Sequence, residues 1–161
     1  MKALLVIDLQ NDYFPGGKFP LEGADEALTH ALTAIDQARQ AGALIVPVQH
    51  VAAQGAPFFE EGSEGAALHP AIASATDGDR IVTKREADSF FETGLADLLK
   101  QADVKTLQIL GMMTQHCVTH TALSPEARDY AVSILGKACA APTRQLSGLA
   151  LSGLQARLTV R

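Results

Sequence analysis

The sequence predicts a single α/β domain spanning residues 1–161: a mainly parallel sheet covered by helices on both faces. Two observations carry this. Short apolar runs alternate with segments of helical periodicity along the whole chain. Those runs are continuous rather than alternating in polarity, so both faces of each strand must be covered, as in parallel sheets under helices. Size agrees: 161 residues, 47% hydrophobic and 19% charged, suit one domain with a real core.

The elements follow in order. Ala3–Ile7 is the first strand and ends in the polar cluster Asp8-Leu9-Gln10-Asn11-Asp12; Pro15-Gly16-Gly17 then marks a loop. From Ala24 to Ala41, apolar Ala24, Ala27, Leu28, Ala31, Leu32, Ile35 and Ala38 recur at three and four, an amphipathic helix that Gly42 is placed to stop. Leu44–Val48 is the second strand, with His50 just past its end. Residues 52–79 are rich in Ala, Gly, Glu and Pro with little periodicity, and read as a long active-site loop holding one short helix. Arg80–Thr83 is a short strand leading into Lys84, and Thr93 is the expected N-cap of a helix carrying Leu95, Leu98 and Leu99. Thr106–Leu110 is a strand ending at Gly111, followed by a helix from His116 or Cys117 to about Asp129. Ala131–Leu135 is the next strand. Beyond Pro142 lie a helix with Leu146, Leu149, Leu151 and Leu154 and a last short strand through Val160.

Composition narrows the function. A net charge of -5 and the lack of a Lys/Arg cluster speak against a nucleic-acid partner. The apolar runs are too short to span a bilayer, and the opening MKALLVIDLQND meets Asp8 too early to be a signal peptide. With only Cys117 and Cys139, the expectation is free thiols in a reducing cytoplasm rather than a disulfide framework.

In parallel sheets, ligands bind beyond the carboxyl ends of the strands. Asp8, His50, Lys84 and the segment 111–117 each follow a strand, so four separate stretches should converge on one sheet edge. Cys117 falls where a helix should start; unpaired N–H groups there lower a thiol's pKa and can hold a developing oxyanion. Asp8 could take the thiol proton and return it to a leaving amine, while Lys84 keeps Asp8 ionised and stabilises the thiolate. Singly, each has an ordinary explanation: a buried cysteine, a loop carboxylate, a solvated lysine.

The other candidates weigh less. His116 and His120 have the spacing of a zinc-binding pair, but the glutamate of H-E-x-x-H and a third ligand are missing, so packing or subunit contact is expected. His30 and His69 read as surface residues and Cys139 as structural. Asp8 and Asp12 as a glycosidase pair carry little weight, since carboxylates four apart are common in loops. Phe14, Phe58, Phe59, Phe90 and Phe91 lie in or beside the loops above the predicted site, where they either anchor loops or cap a substrate; Phe14 and Phe90 are preferred for the cap. Gln10 and Asn11 are expected to orient their loop.

Three ordered segments resemble one family. LLVIDLQNDYF (4–14), VTKREADSFFETGL (82–95) and GMMTQHCVTHTA (111–122) are similar to the aspartate, lysine and nucleophile blocks of the isochorismatase-like cysteine hydrolases, which include nicotinamidases and related amidases. The resemblance implies a six-stranded parallel sheet in a three-layer α/β/α sandwich and an Asp8, Lys84, Cys117 triad. It also implies a non-proline cis peptide between Met112 and Met113, and an oxyanion hole from the N–H groups of Met113 and Cys117. The expected reaction is cleavage of an amide-type C–N bond of a small molecule through a thioester acyl-enzyme, with Phe14, His50, Phe90 and Met112 in the substrate pocket. The nicotinamidase metal set of one Asp and two His is missing from Val48-Gln49-His50-Val51, so neither metal nor other cofactor is expected. Glu92 and Asp129 stand where the family commonly has Gly. A homodimer or larger homo-oligomer is the expected state. Two other readings stay open: a non-catalytic metabolite-binding homo-oligomer, and a thiol redox sensor using Cys117 and Cys139.

Overall fold

The computed structural model describes residues 1–161. Its strands are β1 (Lys2–Ile7), β2 (Leu44–His50), β3 (Val82–Lys84), β4 (Thr106–Met112), β5 (Ala131–Ala140) and β6 (Thr159–Val160). They form one sheet in the order β3-β2-β1-β4-β5-β6, and every neighbouring pair is parallel. The strand order reverses between β1 and β4, the place where such sheets open a crevice for ligands.

The helices are α1 (Ala24–Gln40), α2 (Pro70–Ala75), α3 (Leu95–Gln101), α4 (Thr119–Ala122) and α5 (Arg144–Gln155). Because successive side chains of a strand point to opposite faces, β1 supplies both halves of the core. Leu4 and Val6 pack with Ala24, Ala27, Ala31, Ile35 and Ala38 of α1. Ala3, Leu5 and Ile7 pack with Leu95 and Leu99 of α3 and Leu154 of α5. This is the three-layer sandwich that the continuous apolar strands predict. No helix is long and apolar enough to cross a membrane.

Gly111 lets β4 close on β1 at the switch point. Its φ is +133°, and a Cβ there would overlap the carbonyl oxygen of Ile7. Gly111→Ala should cost about 3 kcal/mol through overpacking and backbone strain, lowering the melting temperature by about 6–12 °C. A thermal melt within 2 °C or so of the parent would refute this account.

Three expectations about elements and one about a single residue need correction. The helix expected from His116 to about Asp129 is broken into a widened π-type turn (Thr114–Val118), α4 and a 3-10 turn (Glu126–Asp129). Pro125 ends α4: it lacks an N–H and pushes Ser124 out of helical geometry. Helix α3 starts at Leu95, one residue later than a Thr93 cap implies; Thr93 Oγ1 still accepts from the Leu95 N–H at 3.3 Å while donating to the Ser89 carbonyl. Strand β5 runs past Leu135 to Ala140, with a register shift opposite Ile109–Gly111 that keeps Cys139 inside the sheet. His69 is half-buried rather than a surface residue: its Nδ1 accepts from the Ala71 N–H at the start of α2, and its ring packs on Phe14 at 4.5 Å.

Candidate active site

The ends of β1, β2 and β3 and the turn after β4 bring Asp8, His50, Lys84 and Cys117 together. Asp8 follows β1 in the left-handed region (φ +53°), a conformation that non-glycine residues hold only where surrounding structure fixes it. Lys84, the last residue of β3, is fully enclosed. Its Nζ lies 3.0 Å from Asp8 Oδ2, 3.1 Å from Cys117 Sγ and 3.1 Å from His50 Nδ1, and donates to the Glu86 carbonyl at 2.9 Å. His50 Nδ1 also lies 3.7 Å from Asp8 Oδ2, so this one ring nitrogen faces both the ammonium and the carboxylate. Both Asp8 carboxylate oxygens are buried and accept no hydrogen bond within the chain, so Lys84 meets Oδ2 as an ion pair.

The charges follow from this packing. Burial alone would push the Asp8 carboxyl up; the Lys84 ammonium, helped by His50, outweighs it and holds Asp8 below its ordinary value. Burial likewise opposes the Lys84 charge, but Asp8 and Cys117 raise its pKa above the ordinary value. Burial first, and then the Asp8 charge, push the Cys117 thiol well up, against the pull of Lys84. The resting site therefore holds carboxylate, ammonium and protonated thiol. The expected activation of the thiol by its helix terminus is thus opposed at rest by burial and the Asp8 charge.

The segment after β4 presents the backbone. The Met112–Met113 peptide bond is cis. The Met113 N–H makes no hydrogen bond within the chain, whereas its carbonyl accepts from the N–H groups of His116 and Val118.

A cavity of about 180 Å³ adjoins the site, lined by Tyr13, His50, Ala52, Ala56, Pro57, Phe58, Phe59, Met113 and His116. Cys117 is itself buried, and its Sγ meets this cavity across His50 and His116, whose Nδ1 atoms lie 3.9 and 3.5 Å away. Of the expected pocket residues only His50 lines it. Phe14 packs on His69 instead, Phe90 stacks on Tyr130 at 6.4 Å in the opposite core layer, and Met112 is sealed inside the sheet. Phe91 is half exposed, at 53%. The aromatic wall comes from Tyr13, Phe58 and Phe59, with the Tyr13 and Phe59 rings 4.5 Å apart.

Two buried side chains hold that wall. Gln10 pairs with both main-chain groups of His50: its Oε1 accepts from the N–H at 2.8 Å and its Nε2 donates to the carbonyl at 2.7 Å. Asp12 accepts from the Phe59 N–H at 2.7 Å and from the Lys18 N–H at 3.0 Å. Its oxygens are thus committed to the loop, which removes it as half of a glycosidase pair.

Asp8, His50 and Cys117 offer ligand atoms within 4.8 Å of one another. The Lys84 ammonium sits among them at 3.0–3.1 Å from each, so this place already holds a cation. His116 and His120 pack edge to face at 5.3 Å, and His120 Nδ1 donates to the His116 carbonyl at 2.8 Å, a packing arrangement. Cys139 donates to the Leu135 carbonyl, and burial pushes its thiol up to about 12.

A buried acid, base and thiol gathered at the carboxyl edge of a parallel sheet fit a hydrolytic site. The chain belongs to the isochorismatase family, whose isochorismatase domain matches residues 2–160. It is 35% identical to the isochorismatase family protein YddQ of Bacillus subtilis, over 89% of this chain and 80% of that one. It is 26% identical to the nicotinamidase of Escherichia coli K12, over 86% of this chain and 82% of that one. Among solved structures, an isochorismatase-type hydrolase of Oleispira antarctica superposes with a TM-score of 0.92 at 35% identity, covering 99% of this chain and 91% of that one.

Proposed function

We propose that this hydrolase cleaves an amide-type C–N bond of a small molecule through a thioester on Cys117. The observation that carries the reading is the Lys84 ammonium, bridging Asp8 Oδ2 and Cys117 Sγ at 3.0 and 3.1 Å. Asp8, ionised at rest, accepts the thiol proton as sulfur attacks the carbonyl carbon. Lys84 stays charged and steadies the sulfur as it becomes thiolate. The N–H groups of Met113 and Cys117 receive the carbonyl oxygen. Asp8 then passes its proton to the departing nitrogen, the C–N bond breaks, and the acyl group stays on sulfur until water releases it. The nicotinamidase relative supports amide chemistry, and the intact cysteine supports acyl transfer.

The cavity adds a size and polarity limit. Its wall is mostly Ala, Pro, Phe, Tyr and Met, without a charged lining group, so a compact neutral acyl portion suits it. The test is ammonia release from a panel of small neutral carboxamides, with Cys117→Ala beside the parent. Turnover in the parent and none in the variant is expected; full turnover by Cys117→Ala would sink the scheme.

A further inference from the structure

We propose that His116 is a further catalytic residue, the base that takes a proton from the water opening the Cys117 thioester. This rests on the reading of Cys117 as an acylated nucleophile and assigns its second half-reaction. The acyl carbon is bonded to Sγ, so groups touching Sγ are those within reach of a water attacking that carbon. Three side-chain nitrogens do so. Lys84 Nζ, at 3.1 Å, is an ammonium and cannot accept a proton. His50 Nδ1, at 3.9 Å, is farther off and is engaged by the Lys84 ammonium at 3.1 Å and by Asp8 Oδ2 at 3.7 Å. His116 Nδ1, at 3.5 Å, has no partner other than the sulfur. In the tautomer protonated on Nε2, that nitrogen offers a free lone pair once the thiol proton has gone.

Position separates His116 from Asp8. Asp8 is sealed at the end of β1 and lines no part of the cavity; His116 is exposed and lines it. Water in the cavity has His116 beside it. The groups facing its ring are His120 on its own segment, Lys84 from β3, His50 from β2 and Asp8 after β1. Burial, then His120, Lys84 and His50, lower its pKa below the ordinary 6.5, and Asp8 opposes them. The imidazole is therefore neutral at pH 7, as a base must be.

The step balances. The water oxygen bonds to the acyl carbon while one of its protons moves to His116 Nδ1. The C–S bond then breaks, sulfur leaves as thiolate, and it recovers a proton from the imidazolium. A carboxylic acid and the free thiol result, with no oxidant or reductant involved.

The experiment uses p-nitrophenyl acetate and the intact chain, following nitrophenolate by stopped flow and the acetyl adduct by mass spectrometry. His116→Ala should keep the rapid burst while its steady-state rate falls about 100-fold, with acetyl-Cys117 persisting. The retained burst also shows that the variant is folded and its nucleophile assembled. His116→Gln, polar but not basic, should behave alike. The parent's steady-state rate should fall as pH drops below 6.5, and the His116→Ala rate should not follow it. A His116→Ala steady state within about twofold of the parent overturns the proposal; so does a burst that falls in step with the steady state. If neither the parent nor His116→Ala forms acetyl-Cys117, the cysteine-hydrolase reading itself fails, an outcome distinct from the other two.

Discussion

Replacing Lys84 by Met should abolish hydrolysis and cost about 3–5 kcal/mol of stability at pH 7. Met nearly matches the length of the lysine stem, so the loss is one of charge. Asp8 is sealed from water and Lys84 is the cation it touches. In the parent, the Asp8 carboxyl lies below its unfolded value of 3.8, so its contribution is present above pH 3.8 and is lost as pH falls through the lower folded value. The Lys84 contribution is present below its unfolded value of 10.5 and is lost as pH rises through the higher folded one. Without Lys84 the Asp8 sign reverses. Burial then raises the carboxyl, and the variant must bury an uncompensated charge or take up a proton. The penalty should be large at pH 7 and shrink toward pH 4. Urea denaturation at both pH values measures it; an equal penalty at the two would refute the coupling.

Replacing Asp8 by Asn should have two effects of opposite sense. Hydrolysis should fall by about 100- to 10,000-fold, since the group that accepts and returns the proton is gone. Cys117 should nonetheless alkylate at lower pH than in the parent. After burial, the Asp8 charge is the next largest influence holding the thiol protonated, and Lys84 acts against it. Removing the carboxylate leaves the ammonium facing sulfur 3.1 Å away, free to pair with a thiolate. Iodoacetamide labelling resolved by mass spectrometry follows both thiols, with Cys139 as an internal reference. That thiol, buried against a carbonyl, should not respond. A Cys117 profile unchanged or moved to higher pH would contradict the charge arrangement.

The convergence of Asp8, His50, Lys84 and Cys117 was legible in the sequence because each lies at or after the end of a short apolar run, while their reading as a triad came from the resemblance of three ordered segments. Parallel order then forces those strand ends to one edge. The π-type turn at Thr114–Val118 was not legible: helical periodicity across 116–129 looks continuous, and Ser124-Pro125 is its one local break. The pocket aromatics were misassigned for a geometric reason. Tyr13 and Phe14 are neighbours on a tight turn, and only one can face the site; nothing in sequence says which. Phe58 and Phe59 stood among the loop aromatics from the start. What brings them over the site is the Asp12 carboxylate reaching across 47 residues to the Phe59 N–H, a long-range bond without periodic signature. His116 carried a weak signal, its place beside the nucleophile, which its spacing from His120 obscured. The thiol's resting protonation was also hidden, since it depends on a carboxylate distant in sequence.

The bonds from Gln10 and Asp12 end on main-chain groups of His50 and Phe59. Peptide N–H and carbonyl groups are the same whatever side chain they carry. The wall above the nucleophile is therefore held by features that survive substitution of its own residues. Exchange of Ala52, Ala56 or Phe58 can reshape the cavity without loosening the frame that sets Lys84 against Cys117. Chemistry and choice of substrate are thereby separable in inheritance: one can drift while the other stays fixed.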